Sequence, residues 1–235
     1  MPARARKTAR KKTTRRRSAS ATESAEALEA RAGRLIGALY RLYPDSDCAL
    51  HHSSALELLV ATILSAQCTD ERVNQVTPSL FRRYPTAAEY ATADVAELEQ
   101  LIRSTGFFRN KTKSIIGLGQ GLVQQHDGQV PDSMEELVRL PGVGRKTANV
   151  LLGTWFGQPA IPVDTHVTRL SNRLELTGES DAVKIELALQ ELFPRRDWTF
   201  SSHALIWHGR RVCKARKPDC ENCGLVADCP FAAKR

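Results

Sequence analysis

Apolar residues recur along this chain with the period of an α-helix. Leu56, Leu59, Val60, Ile63 and Leu64 fall at i, i+3, i+4, i+7 and i+8, which is the stripe of an amphipathic helix. Further stripes are formed by Leu35, Leu39 and Leu42, by Ala148, Leu151, Leu152 and Trp155, and more thinly by Ile185, Leu189 and Leu192. Gly and Pro residues separate the stripes, and no strand-like alternation competes with them. The pattern predicts an all-α protein of about ten helices.

Charge divides the chain into a basic start and a nearly neutral remainder. Of the 235 residues, residues 1–17 hold nine Lys and Arg and no acid, although the net charge of the whole chain is only +8. Residues 1–23 are therefore predicted to be a disordered basic tail, because they have little to bury. Such a tail is typical of loose contact with nucleic acid phosphates, but a merely solvated tail and an organelle-targeting segment are alternative interpretations.

The remaining composition indicates a protein that stays inside the cell and outside the membrane. The chain is long enough to bury a core without disulfides. No apolar run approaches the ~18 residues of a membrane helix, and the start lacks the apolar stretch of a signal peptide.

Four of the six cysteines crowd into residues 213–229. They are Cys213, Cys220, Cys223 and Cys229, in the pattern C-x6-C-x2-C-x5-C. Such crowding in an intracellular chain favours a metal site over disulfides. On spacing alone, a zinc ion and a [4Fe–4S] cluster fit four thiolates equally well. Cys48 and Cys68 lie apart from this group and are interpreted as small buried hydrophobic residues.

Three cations follow the first cysteine of this group. Lys214, Arg216 and Lys217 would lie on a loop held by the metal. We predict that this loop contacts nucleic acid phosphates, and a simply solvated basic face is the alternative.

A glycine-containing turn lies between two apolar helical stretches in residues 137–156, LVRLPGVGRKTANVLLGTWF. Gly142 and Gly144 permit a positive φ and the close approach of another backbone. The second helix is predicted to begin near Arg145, so its free amides would point out of the turn. Gly142, Val143, Gly144 and Arg145 are therefore candidates for holding a DNA phosphate. An ordinary helical hairpin is the alternative.

Lys146 lies in the first turn of that second helix. The positive helix end and the adjacent Arg145 disfavour a protonated amine there, and a neutral lysine is a nucleophile. Asp164 follows eighteen residues later in the segment PVDTH, directly before another apolar stripe. The spacing fits a catalytic carboxylate and a helix N-cap equally well.

Together, these motifs resemble endonuclease III, a family of helix-hairpin-helix DNA glycosylases. LPGVGRKTANVLL, VDTH and the cysteine pattern stand in that family's order and spacing, and LSAQCTDERVN at 64–74 is similar to its opening segment. The resemblance covers residues 27 to about 231 and implies two helical domains with a DNA-binding cleft between them. Residues 48–158 would form a six-helix domain with the hairpin. Residues 24–47 and 159–235 would form the cluster domain.

The resemblance also implies roles for single residues. Lys146 would be the Schiff-base nucleophile and Asp164 its acidic partner, while the four cysteines would hold a structural [4Fe–4S] cluster. Gln67 matches the residue that fills the gap left by an extruded nucleotide. Phe107 stands where the family often has a smaller aliphatic wedge, and core packing is the alternative for this ring.

The implied activity is base excision repair. The enzyme would extrude an oxidised or otherwise damaged pyrimidine from double-stranded DNA, at a cost of roughly a few kcal/mol. It would then cleave the glycosidic bond and nick the abasic site by β-elimination through the lysine imine. We expect a cytoplasmic, nucleoid-associated monomer with no membrane partner, and the basic tail leaves organelle targeting open.

Four other functions compete with this interpretation. Adenine-mismatch glycosylases typically lack the hairpin lysine and carry an extra C-terminal domain, whereas Lys146 is present here and six residues follow Cys229. A pyrimidine-dimer glycosylase belongs to the same family and stays an alternative. A plain hairpin DNA-binding module would not need both Lys146 and Asp164. A zinc-ribbon regulator would not need an enzyme-length helical chain.

Overall fold

The computed structural model describes residues 23–234 and contains only helices, turns and loops in that range. The helices are α1 (Ala25–Leu42), α2 (Ala55–Leu64), α3 (Asp70–Arg83), α4 (Ala87–Ala91), α5 (Val95–Ile102), α6 (Phe108–His126), α7 (Met134–Leu137), α8 (Arg145–Thr154), α9 (Thr165–Arg173), α10 (Ala182–Leu192), α11 (Trp198–Arg211) and α12 (Pro230–Ala233). The all-α prediction is confirmed. Two more helices occur than the ten expected, since α4, α7 and α12 have only four or five residues and are too short for a periodic pattern to reveal.

Side-chain caps define where most of these helices begin. A Ser, Thr or Asp accepts a hydrogen bond from the first-turn backbone of each of α1–α5, α7, α9 and α10. Such a cap satisfies amides that otherwise have no partner inside the helix. Among helices of ten or more residues, α6, α8 and α11 begin without one. Two of these open helix starts, those of α6 and α8, follow Phe107 and Gly144, which are candidate DNA-contact residues.

One hydrophobic core is built from residues between Leu50 and Ala160, and we call it the hairpin core. Its helices come very close where α4 meets α6. A Cβ added to Gly119 would lie 2.6 Å from the backbone nitrogen of Ala91 and 2.7 Å from the backbone oxygen of Ala87. Only glycine fits at this crossing, so the two helix backbones touch there.

A second core, the cysteine core, combines α1 with residues from Ile161 to Leu225. The change from one core to the other falls between Ala160 and Ile161, where the sequence placed a domain boundary near residue 159. Seven helices, α2–α8, lie within residues 48–158, one more than the six expected. Leu42 and Trp155, the last members of two predicted apolar stripes, are exposed and do not reach either core.

Helix α9 runs through the cysteine core and is held at both ends. Asp164 caps its start. The buried Arg31 of α1 donates to the carbonyl oxygens of Leu174 (2.6 Å) and Glu175 (3.1 Å) beyond its end. Arg31 also pairs with Glu23 at 2.8 Å, so Glu23 belongs to the folded part of the chain and not to the predicted basic tail. Residues 1–22 of that tail lie outside the described residues.

Within residues 23–234, no helix combines the length and the apolar character needed to cross a bilayer.

Candidate active site and cysteine loop

The hairpin turn packs directly on α6. Gly142 has a φ of +79°, and a Cβ there would lie 2.6 Å from Cβ of Ser114. The ring of Pro141 lies against Gly117 of α6, where an added Cβ would come within 2.9 Å of it. Glycine is therefore required at 142 both for its backbone conformation and for the close approach to α6. This contact fixes the direction in which α8 leaves the turn.

The start of α8 offers unpaired backbone donors, as the sequence predicted. Gly144 is its N-cap residue, and no side chain caps the helix, so the first amides of α8 have no partner within the helix. Val143 departs from the prediction. It is only 5% exposed and its amide donates to the oxygen of Leu140 at 3.1 Å. Val143 therefore serves the packing of the turn and does not offer its amide to a phosphate.

Arg145 is also more constrained than the sequence suggested. Its guanidinium donates two hydrogen bonds of 2.8 Å to the carboxylate of Glu186 on α10, and these bonds raise the pKa of Arg145. The buried Glu186 offsets the positive charge beside Lys146. The same ion pair joins the hairpin helix to the cysteine core, so it helps to fix the two cores relative to each other.

A cleft of about 610 Å³ lies between the two cores, within the size range of small-molecule sites. Lys146 and Asp164, which are distant in sequence, both line it, and so does Gln67. The hairpin core contributes the connection between α2 and α3 and the start of α8. The cysteine core contributes residues 162–168 and one face of α11. The structure therefore brings the predicted nucleophile, its acidic partner and one predicted insertion residue to a single cleft.

Asp164 acts as a helix cap and borders the cleft at the same time. Its Oδ1 accepts hydrogen bonds from the amides of His166 (2.7 Å) and Val167 (2.8 Å). Both bonds use Oδ1, so the cap does not consume Oδ2. No ion pair between Lys146 and Asp164 occurs in the described part of the chain, and Lys146 is exposed. A ligand could therefore enter between the amine and the carboxylate.

Gln67 and Phe107 both line a second pocket, of about 320 Å³, which we call the side pocket. Gln67 lines both the cleft and the side pocket. Phe107 is 62% exposed, which rules out the core-packing alternative. Both residues have left-handed backbones, with φ of 53° and 47°, a conformation that is uncommon away from glycine.

The four cysteines of residues 213–229 surround one small pocket, separate from the cleft. The rest of its lining is mainly apolar and includes Leu170, Leu174 and Leu225. Within residues 23–234, no three His, Cys, Asp or Glu side chains are placed to hold a metal ion together. A zinc ion would need all four sulfurs about 2.3 Å from one point. The four thiols therefore share one mainly apolar space.

Two arginines of α9 hold the cysteine loop in place. Arg169 donates to the carbonyl oxygens of Cys213 (3.0 Å) and Gly209 (2.9 Å). Arg173 donates to Sγ of Cys213 at 3.2 Å and to the oxygen of Lys214 at 2.9 Å. The predicted phosphate contacts, Lys214, Arg216 and Lys217, are all exposed on this loop. Their exposure fits both the DNA-contact and the solvated-face interpretations.

A histidine that the sequence gave no reason to select lies beside Cys223. His208 Nδ1 is 2.8 Å from the hydroxyl of Tyr43, and its Nε2 is 3.4 Å from Sγ of Cys223. Burial lowers the pKa of His208 to about 4, so the ring is neutral near pH 7. A tyrosine hydroxyl that donates to Nδ1 leaves the Nε2 proton to point at the sulfur.

The other two cysteines lie beside the cleft. Cys48 and Cys68 are half-buried, pack against the hairpin core and line the cleft. Burial raises the pKa of the Cys48 thiol to about 11, so this thiol stays protonated at neutral pH. That agrees with the expected role of Cys48 as a small apolar residue.

Comparison with known proteins places this geometry in a family. Residues 60–195 match the model of the HhH-GPD superfamily of base excision DNA repair proteins. Endonuclease III of Synechocystis sp. is 55% identical over 203 residues, which are 86% of this chain and 93% of that protein. Endonuclease III of Escherichia coli is 39% identical over 191 residues, covering 81% and 90% of the two chains. The chain belongs to the endonuclease III family, and the resemblance seen in the sequence is confirmed.

A solved structure gives the same result at the level of the fold. It is a trapped endonuclease III–DNA covalent intermediate, which superposes with a TM-score of 0.85 at 42% identity and covers 88% of this chain and 98% of that one.

Proposed function

We propose that this chain is a bifunctional DNA glycosylase and abasic-site lyase that removes damaged pyrimidines from duplex DNA. The observation that carries the proposal is the cleft, where an exposed lysine at an uncapped helix start and a half-buried aspartate line one space between two cores. The enzyme works on the chromosome, so we place it at the nucleoid. We also propose that the two cores are its two domains, with the DNA lying across the cleft.

Lys146 and Asp164 have separate tasks in the reaction. The Nζ of Lys146 attacks the sugar carbon C1′, and the damaged base departs with the bonding electrons. The new C1′–N bond becomes an imine when the nitrogen gives up a proton and the C1′–O4′ bond of the sugar ring opens, with the proton passing to the ring oxygen. Removal of a C2′ proton next to that imine then breaks the bond to the 3′ oxygen. Asp164 stabilises the positive charge that develops on the sugar and moves protons, using the oxygen that does not cap α9.

DNA is held on either side of this chemistry. The free amides of Gly144 and Arg145 at the start of α8 bind a phosphate, helped by the positive end of the helix. Gln67 and Phe107 occupy the space in the stack that the extruded nucleotide leaves. Lys214, Arg216 and Lys217 add phosphate contacts from the cysteine loop.

The cysteine loop is proposed to hold a [4Fe–4S] cluster with a structural role. Cys213, Cys220, Cys223 and Cys229 would be its ligands. All four thiols line one mainly apolar space, and the donors from Arg173 and His208 suit charged sulfurs. When bound, the cluster would cross-link the cysteine loop and so stabilise the fold of the segment that carries the three basic residues.

Borohydride trapping tests the proposal. Reduction of the imine should link the wild-type protein covalently to DNA that carries a single damaged pyrimidine. Lys146→Gln should abolish the linkage and leave DNA binding nearly intact, because the hairpin amides remain. Lys184→Gln removes the same charge from an exposed site outside the cleft, so it should trap like the wild type. A Lys146→Gln protein that cross-links at the normal rate would show that another amine is the nucleophile.

A further inference from the structure

Lys111 is a buried cation that the proposed chemistry does not use. It lies in the first turn of α6 and is 5% exposed, and it is the one charged side chain buried within residues 48–158, all of which the structure describes. Its Nζ donates hydrogen bonds of 2.8 Å to two carbonyl oxygens, those of Leu64 and Thr105. A buried charge is costly unless such partners satisfy it.

These two carbonyls belong to the two segments that carry Gln67 and Phe107. Leu64 is the last residue of α2, three residues before Gln67. Thr105 ends a short 3-10 turn, two residues before Phe107. One ammonium group therefore ties together two chain segments that are forty residues apart in sequence, at the base of the side pocket that Gln67, Phe107 and Lys111 all line.

The position of Lys111 explains how it reaches both carbonyls. Side chains in an α-helix lean toward the helix N-terminus, so Lys111 reaches back over the start of α6 toward Thr105. A cation is disfavoured at that positive helix end, but the carbonyl of Leu64 belongs to the negative end of α2 and offsets this. Burial lowers the pKa of Lys111, and the two carbonyls favour the ammonium form.

Gln67 and Phe107 need such a support. Both are exposed and both have left-handed backbones. For residues with a side chain, this conformation persists only where the surrounding structure enforces it. Exposed loops have few contacts of their own, so the enforcement must come from beneath them. Lys111 is bonded to the backbone just before each of them.

We propose that Lys111 is a positioning residue that holds Gln67 and Phe107 at a fixed separation, so that both enter the DNA stack as one unit when a nucleotide is extruded. The proposal rests on the proposed glycosylase function. It assigns no contact with DNA to Lys111 itself, and it predicts that removal of the ammonium impairs extrusion more than the later lyase step.

Lys111→Met tests this by removing the charge at nearly constant length. Single-turnover excision should be measured on a duplex with one damaged pyrimidine, and strand cleavage on the same duplex with an abasic site. We expect the excision rate to fall about tenfold or more, because a higher barrier to extrusion slows excision. The rate of abasic-site cleavage should fall less than about threefold. A 2-aminopurine base beside the lesion should report slower unstacking. Lys113→Met, an exposed lysine on the same helix, should change neither rate.

A double-mutant cycle separates positioning from plain destabilisation. If Lys111 acts through Phe107, then Lys111→Met should add little to the excision defect of Phe107→Ala. If Lys111→Met does not fold at the assay temperature, Lys111→Gln replaces it in every assay, since its amide keeps one donor. Its excision rate should lie between those of the wild type and Phe107→Ala.

The outcomes distinguish this inference from the proposed function. Equal losses on the damaged and abasic duplexes, or additive effects in the cycle, would overturn the role of Lys111 while leaving the enzyme a glycosylase and lyase. A wild-type protein that neither excises damaged pyrimidines nor cuts abasic DNA would overturn the proposed function, and the role of Lys111 with it.

Discussion

The hairpin core and the cysteine core are both helical, yet different kinds of contact hold them together. Within residues 48–158, around the hairpin core, one charged side chain is buried, that of Lys111. Apolar packing holds this core together, including contact between helix backbones at Gly119. The part of the chain around the cysteine core buries three charged side chains, Arg31, Glu186 and Asp197. Its arginines donate to backbone carbonyls, and four cysteines face one space inside it.

This difference indicates where each core obtains its stability. Apolar packing needs only the chain itself, and it tolerates little added volume. Buried arginine–carbonyl contacts satisfy charges but contribute little net stability. We therefore expect the stability of the cysteine core to depend more on what its thiols bind than that of the hairpin core does. The predictions below test this contrast, from the largest expected effect to the smallest.

Replacing a cysteine of the loop should damage one core only. In Cys220→Ser we expect loss of iron and acid-labile sulfide and rapid proteolysis after α11, because metal-binding energy is folding energy in such loops, about 10 kcal/mol or more for structural sites. Limited proteolysis with mass spectrometry would locate the cuts. Cys48→Ser changes a thiol beside the hairpin core and should leave the metal content intact. Stoichiometric zinc without sulfide in anaerobically purified protein would contradict the proposed cluster.

Asp164 lies where the two cores meet, and two substitutions separate its two tasks. Asparagine caps helices nearly as well as aspartate, so Asp164→Asn should keep the melting temperature but lower turnover by roughly 10²–10⁴-fold, the usual range for a lost acid–base group. Asp164→Ala should lose the same activity and, in addition, about 1 kcal/mol of stability. If Asp164→Asn retained full turnover, the residue would be a cap alone.

The close packing of the hairpin core should make it intolerant of a single methyl group. Gly119→Ala places a Cβ against backbone atoms of α4 that cannot move aside, so we expect a loss of about 1–3 kcal/mol in the free energy of unfolding. Gly33→Ala on α1 meets nothing within 4 Å and should instead stabilise by about 0.5–1 kcal/mol. Urea unfolding measures both. Equal effects of the two substitutions would contradict the close-packing account.

The basic tail belongs to neither core and should have the smallest effect. Deletion of residues 1–17 should flatten the dependence of log K on log salt, by about 0.9 for each lost phosphate contact on duplex DNA. The preference for damaged over intact DNA should barely change. A truncated protein that loses its lesion preference but keeps the salt slope would show that the tail reads the lesion.

Features encoded by neighbouring residues were predictable from the sequence. The long amphipathic stripes, the turn at Gly142, the helix start at Arg145 and the cysteine pattern all depend on short spacings. Leu42 and Trp155, the last members of two stripes, are nevertheless exposed, because periodicity does not show which apolar residues reach the core.

Contacts between distant residues were not predictable. Lys111 meets Leu64 across 47 residues, Arg145 meets Glu186 across 41, and Arg169 meets Cys213 across 44. A single sequence carries no sign that such residues are neighbours, since each looks like an ordinary surface charge until the fold brings it to its partner. The same holds for Val143, whose amide looked available until the turn enclosed it.

Helix α9 connects the cysteine loop to the cleft. It has nine residues, so it is only about 13 Å long. Asp164 caps one end, and Arg173 at the other end donates hydrogen bonds to the cysteine loop. A newly made chain with that loop unformed would lack the contacts of Arg169 and Arg173, so α9 would be held less firmly and its aspartate would be aimed at the lysine less precisely. Maturation of the loop would thus act as a checkpoint, so that strand-cutting ability arrives only in a finished molecule.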